Sequence, residues 1–169
     1  GGHNWHPMSY SPKTGYVYIP AQYTLAELKT AKAPLFLSNK SVVNFGLDVP
    51  DLPEDPKILN KIRDAWSGEL IAWDPVKQKD AWKQPYISAG NGGTLATAGN
   101  LVFQGTADGR VVAYRADTGK RLWEHRANSG VMAGPVTYTV NGEQYVAFSV
   151  GWGGILPLLT GPLTNKGKV

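Results

Sequence analysis

Cysteine is absent from this 169-residue chain, so it carries neither a disulfide framework nor a thiol nucleophile, and cysteine usage assigns no compartment. No apolar run reaches the length needed to cross a membrane. No secretory leader is visible either, although a leader belongs to a true N-terminus and its absence carries little weight. Charged residues are scarce at 18%, and the net charge of +4 is spread out rather than gathered into a basic face for nucleic acid. The one basic cluster, Lys57, Lys61 and Arg63, has the spacing of a solvated helix face. The glycine-rich runs lack the Lys-Ser or Lys-Thr and the following helix of a phosphate loop. His3 and His6 bracket Trp5, but a strand puts them on opposite faces and no third ligand is near in sequence, so no metal site is expected. No residue stands out as a general base, and no catalytic residue is assigned.

Glycine, proline and aromatic residues are plentiful, with 20 Gly, 12 Pro, 6 Trp and 8 Tyr. They follow a repeat. Gly68-Glu69-Leu70-Ile71-Ala72-Trp73-Asp74 to Trp82 matches Gly109-Arg110-Val111-Val112-Ala113-Tyr114-Arg115 to Trp123 at a constant offset of 41 positions. Gly93 and Gly134 keep the same offset upstream. A period of about 40–50 residues built from short alternating strands is that of a β-propeller blade. Thr14-Gly15 and Asn141-Gly142 supply the positive φ of tight hairpins, so strand neighbours are antiparallel.

Counted outward from the ring axis, residues 4–22 are strands one and two of a blade and 68–83 its strands three and four. Residues 93–126 form a whole blade, and 133–150 the first two strands of the next. The expected fold is all-β, a partial propeller of about two and a half blades. Such a chain leaves blade faces and a sheet edge uncovered, which predicts self-association or completion by the remaining blades of a longer parent. The 23–66 segment departs from the repeat as an insertion within a blade. Leu25 to Lys29 and Ile58 to Arg63 have helical spacing, Pro53-Glu54-Asp55-Pro56 suits the start of the second helix, and Val49 to Pro53 reads as extended. Such an excursion serves as a lid, as an interaction surface or as an ordered decoration.

Four stretches carry a family resemblance: Gly1-Gly2-His3-Asn4-Trp5-His6-Pro7, Asn91 to Asn100, Gly105-Thr106-Ala107-Asp108-Gly109 and Gly151-Trp152-Gly153-Gly154. Together, in this order, they resemble the C-terminal part of the quinoprotein alcohol dehydrogenases, periplasmic enzymes that use pyrroloquinoline quinone (PQQ) and calcium. The resemblance implies that residues 1–169 are a partial quinoprotein propeller domain from an eight-bladed ring. It implies a tryptophan staple between blades as well. Ala113, Thr118, Gly119, Lys120 and Trp123 look like one intact copy of its motif. The copy from Ala72 to Trp82 has Lys77-Gln78 where Thr-Gly would sit, so a weaker staple is expected there. Trp82 and Trp123 therefore read as structural, and His125 as an exposed blade-edge residue.

By the same resemblance, Asn4 and Trp5 belong to a PQQ rim, while the Gly153-Gly154-Ile155 turn presents backbone N–H groups, those of Gly154 and Ile155, to a cofactor oxygen. An Asn amide offers both donor and acceptor to an ortho-quinone bearing carboxylates. Glycine permits close approach, and a backbone donor tolerates the apolar Ile155. The calcium ligands and the aspartate that takes the alcohol proton lie in earlier blades, outside this chain, so the fragment alone is expected to be inactive. No Cys-x-x-Cys-His haem motif occurs, which leaves open a haem c in the parent. Implied partners are an alcohol and an electron acceptor such as a cytochrome or quinone. Two rivals stand beside this reading: a propeller scaffold that binds proteins at its rim, and a self-associating relic without chemistry. Asn4-Trp5 and Gly151-Trp152-Gly153-Gly154 favour the enzyme, because a scaffold needs no cofactor rim.

Overall fold

The computed structural model describes residues 2–24, 29–30, 47–48 and 53–153. In chain order these form β1 (Ser9–Ser11), β2 (Tyr16–Tyr23), β3 (Lys29–Thr30), β4 (Leu47–Asp48), α1 (Pro56–Ala65), β5 (Ser67–Asp74) and β6 (Lys79–Tyr86). Then follow β7 (Thr94–Thr97), β8 (Leu101–Gly105), β9 (Arg110–Arg115), β10 (Arg121–Arg126), β11 (Val136–Val140) and β12 (Glu143–Ala147).

One four-stranded antiparallel sheet has the order β1-β2-β5-β6 and a second the order β7-β8-β9-β10, while β11 and β12 make a hairpin. The blade count read from the repeat is what the chain adopts. β2 and β5 pair from Val17↔Trp73 to Tyr23↔Ser67, so the insertion leaves the ladder unbroken. β5 alternates half-buried and buried residues along its whole length, the period-2 signature of a strand with one face in a core. Both outer strands carry an extra residue at equivalent places: the register skips Ala81 opposite Ala72 and Trp73, and Leu122 opposite Ala113 and Tyr114. Such bulges bend and twist an outer strand.

The main core lies between the two sheets, where Tyr18, Leu70 and Ala72 of the first blade meet Val102, Val112, Tyr114 and Ala116 of the second. Leu70, Val102 and Val112 are fully buried, each stabilising the pair by about 1.5–3 kcal/mol. Polar groups in this seam are matched. The Tyr86 hydroxyl donates to Gln104 Oε1 at 2.8 Å and lies 3.0 Å from the Tyr114 hydroxyl, and Gln104 Nε2 donates to the Gly92 carbonyl at 2.8 Å. Burial, with Tyr114 beside it, pushes the Tyr86 hydroxyl well above the usual phenol range.

Trp82 crosses from the first blade to the second. Its indole N–H donates to the Ala116 carbonyl at 2.9 Å, an oxygen that also accepts from the Tyr18 hydroxyl at 2.9 Å, and Gln84 Nε2 donates to the Gly119 carbonyl at 2.9 Å. Gly119 has φ +71°, and a Cβ built on it would stand 2.6 Å from the Trp82 ring. Only glycine meets both conditions. The contact corrects the expectation of a weak staple at Trp82: the Thr-Gly that matters to this indole is Thr118-Gly119 of the next copy. Lys77-Gln78 lies in the turn between β5 and β6, where Gln78 holds the left-handed conformation, φ 52°.

In the excursion, α1 starts as the proline and acids suggest. Asp55 is its N-cap, accepting from the Lys57 N–H at 2.8 Å, with Pro in the first turn. Lys57 and Lys61 are exposed, whereas Leu59 and Ile62 pack against Trp66 and Ala89. The helix expected to end at Lys29 is corrected at that residue: Lys29–Thr30 is a strand paired antiparallel with Leu47–Asp48, so a partner distant in sequence overrides local spacing. Residues 25–28 and 49–52 lie outside the described residues.

Candidate functional site

The inner strands of the three units converge by backbone. The Thr94 N–H donates to the Pro7 carbonyl at 2.9 Å. A Cβ on Gly93 would lie 2.4 Å from the Pro7 ring, and one on Gly134 would lie 2.5 Å from it. Pro7 is thus wedged against two adjacent glycines that open the inner strands of the two following units. The segments just before these strands are brought together, and there a cavity of about 280 Å³ opens.

Its walls are the indoles of Trp5 and Trp152, the side chains of Met132, Ala133, Ser149 and Val150, and the backbone of Gly151 and Gly153. The backbone ties that set this wall join residues distant in sequence. The Val131 N–H donates to the Thr106 carbonyl at 3.0 Å, the Gly151 N–H donates to the Gly130 carbonyl at 2.9 Å, and Val131 forms a parallel bridge with Gly151. A Cβ on Gly130 would stand 2.8 Å from the Trp152 ring, so glycine there lets the indole lie against the chain. Trp5 stacks on His6 with ring centroids 4.2 Å apart and planes inclined by 22°. Trp5 is 52% exposed and His6 only 4%. Burial, and then the neighbouring His3, hold the His6 pKa below its ordinary 6.5, so the ring is neutral at neutral pH. His6 Nε2 is buried without a hydrogen-bond partner.

Of the residues singled out in the sequence, Trp5, Trp152 and Gly153 meet in this cavity. Asn4 is exposed, and its Oδ1 accepts the Trp5 N–H at 2.9 Å; it orients the Trp5 peptide and is not part of the wall. Gly154 and Ile155 lie outside the described residues. His3 Nδ1 sits 3.1 Å from the Pro20 carbonyl, and the His6 ring stacks on Trp5. His125 is exposed and stacks on Trp123, ring centroids 6.0 Å apart. Met132, Ala133, Ser149 and Val150 were not foreseen. A signal for two of them was present: Met132-Ala133 stand before Gly134 as Asn91-Gly92 stand before Gly93, at the place where each repeat enters its inner strand.

The residues present fit one side of a flat fused-ring cofactor. Trp5 and Trp152 bring planar apolar rings to the lining, and Ser149 and the glycines are its residues with hydrogen-bonding groups to offer. Among the described residues no Lys or Arg lines this wall. Among the described residues no group of three or more His, Cys, Asp or Glu could hold a metal ion, and no helix is long and apolar enough to cross a membrane.

Comparison with known proteins bears on what such a wall serves. Residues 59–146 match the family model described as PQQ, glucose/ethanol/alcohol dehydrogenase, β-propeller domain. The chain is 54% identical over 170 residues to the quinohemoprotein alcohol dehydrogenase ADH-IIG of Pseudomonas putida, all of this chain and 24% of that protein. A solved structure of ADHIIG from Pseudomonas putida HK5 superposes with a TM-score of 0.88 at 54% identity, covering 95% of this chain and 24% of that one. The quinohemoprotein alcohol dehydrogenase of Comamonas testosteroni superposes with a TM-score of 0.78 at 46% identity, covering 94% and 23%. The chain thus spans about a quarter of the length of these relatives. By the family model and the sheets that carry its match, this chain belongs to the PQQ family of glucose, ethanol and alcohol dehydrogenase β-propeller domains.

Proposed function

We propose that residues 1–169 are the C-terminal blades of a PQQ- and calcium-dependent alcohol dehydrogenase and supply one wall of its cofactor pocket. The observation that carries this reading is the meeting of Trp5 and Trp152, from opposite ends of the described chain, in one cavity at the convergence of the inner strands. PQQ, when bound, supplies an ortho-quinone that takes the hydride of the alcohol. What this chain contributes is binding and orientation: indole faces from Trp5 and Trp152, a peptide oriented by Asn4, and backbone N–H groups at Gly154 and Ile155, the last two assigned by resemblance. The calcium ligands and the general base belong to other blades of the parent, so the isolated chain oxidises no alcohol. An alcohol and an electron acceptor, a cytochrome or quinone, are the partners of the whole protein, and the periplasm its place. The quinohemoprotein names of the relatives favour a haem c domain in the parent. The staple is proposed to recur along the ring, with Trp123 docking on an outer turn of the third blade as Trp82 docks on Gly119.

Titrating PQQ with calcium into the cofactor-free parent tests the pocket. Trp5→Ala removes an indole wall, and Asn4→Ala removes the acceptor that holds the Trp5 peptide, each expected to cost on the order of 1–3 kcal/mol of binding; His125→Ala leaves binding unchanged. Equal affinity of wild type and Trp5→Ala refutes the wall assignment, and alcohol oxidation by residues 1–169 alone refutes the placement of the chemistry elsewhere.

A further inference from the structure

Trp5 lies on the rim with half its surface open, yet what stands behind it is among the tightest packing in the molecule. Pro7 is fixed by three neighbours: its carbonyl accepts the Thr94 N–H, and its ring is packed against the adjacent Gly93 and Gly134, at distances that leave no room for a side chain at either glycine. His6, the residue between, is driven inside and offers its ring as a plate to the indole, 4.2 Å away and nearly parallel. An indole on an open rim would otherwise sample several rotamers, and ordering it on binding would weaken a ligand.

We infer that His6 is a positioning residue, a plate locked by the Pro7–Gly93–Gly134 wedge that sets the tilt of Trp5 for a flat ligand on its other face. The imidazole acts through its shape and its π-face. Held uncharged by burial, it makes no cation against the indole, and its buried Nε2 makes no bond on which the plate depends. The inference deepens the pocket reading and rests on it.

The test uses the cofactor-free full-length parent, titrated with PQQ in the presence of calcium, in wild type, Trp5→Ala, His6→Ala, His6→Phe and the Trp5→Ala/His6→Ala double variant. Loss of the plate in His6→Ala weakens PQQ by about tenfold, as a misaligned contact does. His6→Phe, which keeps a planar ring, stays within about twofold of wild type, and in the Trp5→Ala background the His6→Ala change adds nothing, because its effect passes through the indole. A loss in His6→Phe as large as in His6→Ala overturns the plate, as does an undiminished His6 effect in the double variant, which is the mark of a general packing role. Unchanged binding in His6→Ala beside a clear loss in Trp5→Ala overturns the plate while the pocket reading stands. Unchanged binding in Trp5→Ala removes the pocket reading and the plate with it. Should His6→Ala not fold, His6→Phe decides: retained affinity supports the plate and lost affinity overturns it.

Discussion

Trp82 and Trp123 occupy the same place in two successive repeats, end equivalent bulged strands, and live in different surroundings. Trp82 gives its N–H to the Ala116 carbonyl and lays its ring on Gly119, whereas Trp123 is half exposed and stacks on His125. The hairpin beyond repeats the contrast. Val136, Tyr138, Val140 and Tyr145 are all exposed, with the two tyrosines stacked at 5.5 Å, while β7 and β8 at the equivalent place in the second blade pack into a core. Similar sequence signals therefore give a sealed seam where Gly119 receives the ring and, among the described residues, an exposed ring at Trp123. The stabilisation belongs to the pair of blades, not to either alone.

The strongest way to break this comparison is to delete both indoles. Trp82→Ala removes a packed ring and one of the two donors to the Ala116 carbonyl, and is expected to cost about 3–4 kcal/mol in urea denaturation of the chain. Trp123→Ala is expected to stay within about 0.5 kcal/mol. Comparable losses would mean that the Trp123 face is covered as well, by a second copy. Light scattering then sharpens the result, because an association that buries Trp123 makes its substitution cost more as concentration rises.

A smaller effect separates contact from backbone strain. Gly119→Ala meets the Trp82 ring and a left-handed φ together and should lose about 2–3 kcal/mol. Gly142→Ala, at φ +82° with nothing within 4 Å, should lose about 1 kcal/mol from the backbone alone. Equal values would remove the clash from the account.

The smallest effect concerns acid. His6 has a folded pKa below its unfolded 6.5, so the unfolded chain binds the proton more readily. The stability this group contributes is complete above pH 6.5 and declines as pH falls below it toward the folded value. Melts of wild type and His6→Phe should run parallel above pH 7 and diverge below 6.5, with the phenylalanine variant losing less. Parallel curves throughout would show that the buried ring takes up its proton freely.

The blades were legible because a strand repeat announces itself locally: Gly109, Gly119 and Gly142 mark turns at positive φ, and β5 and β9 carry matching short apolar runs that end at the same landmarks. Lys29 was misread because what makes it a strand is Asp48, a partner no local window contains. The receiver of Trp82 was misplaced for a related reason, since the staple joins the tryptophan of one copy to the glycine of the next and aligning copies sets them side by side within one. In the site, Trp5 and Trp152 could be named from resemblance. Ser149 and Val150 could not, because nothing in their types distinguishes a cavity wall from an ordinary strand end. The wedge at Pro7 exists only once three units meet.

One oxygen, the Ala116 carbonyl, receives both the Tyr18 hydroxyl and the Trp82 indole. Being main chain, it survives any replacement of the side chain that bears it. The exposed positions of the receiving turn, Thr118 and Lys120, can therefore change without disturbing the joint, whereas the glycine under the ring and the buried Ala116 cannot, and the donating blade must keep two particular aromatic residues. The joint thus makes unequal demands on its two sides, specific side chains where a blade gives and mostly main chain where it receives.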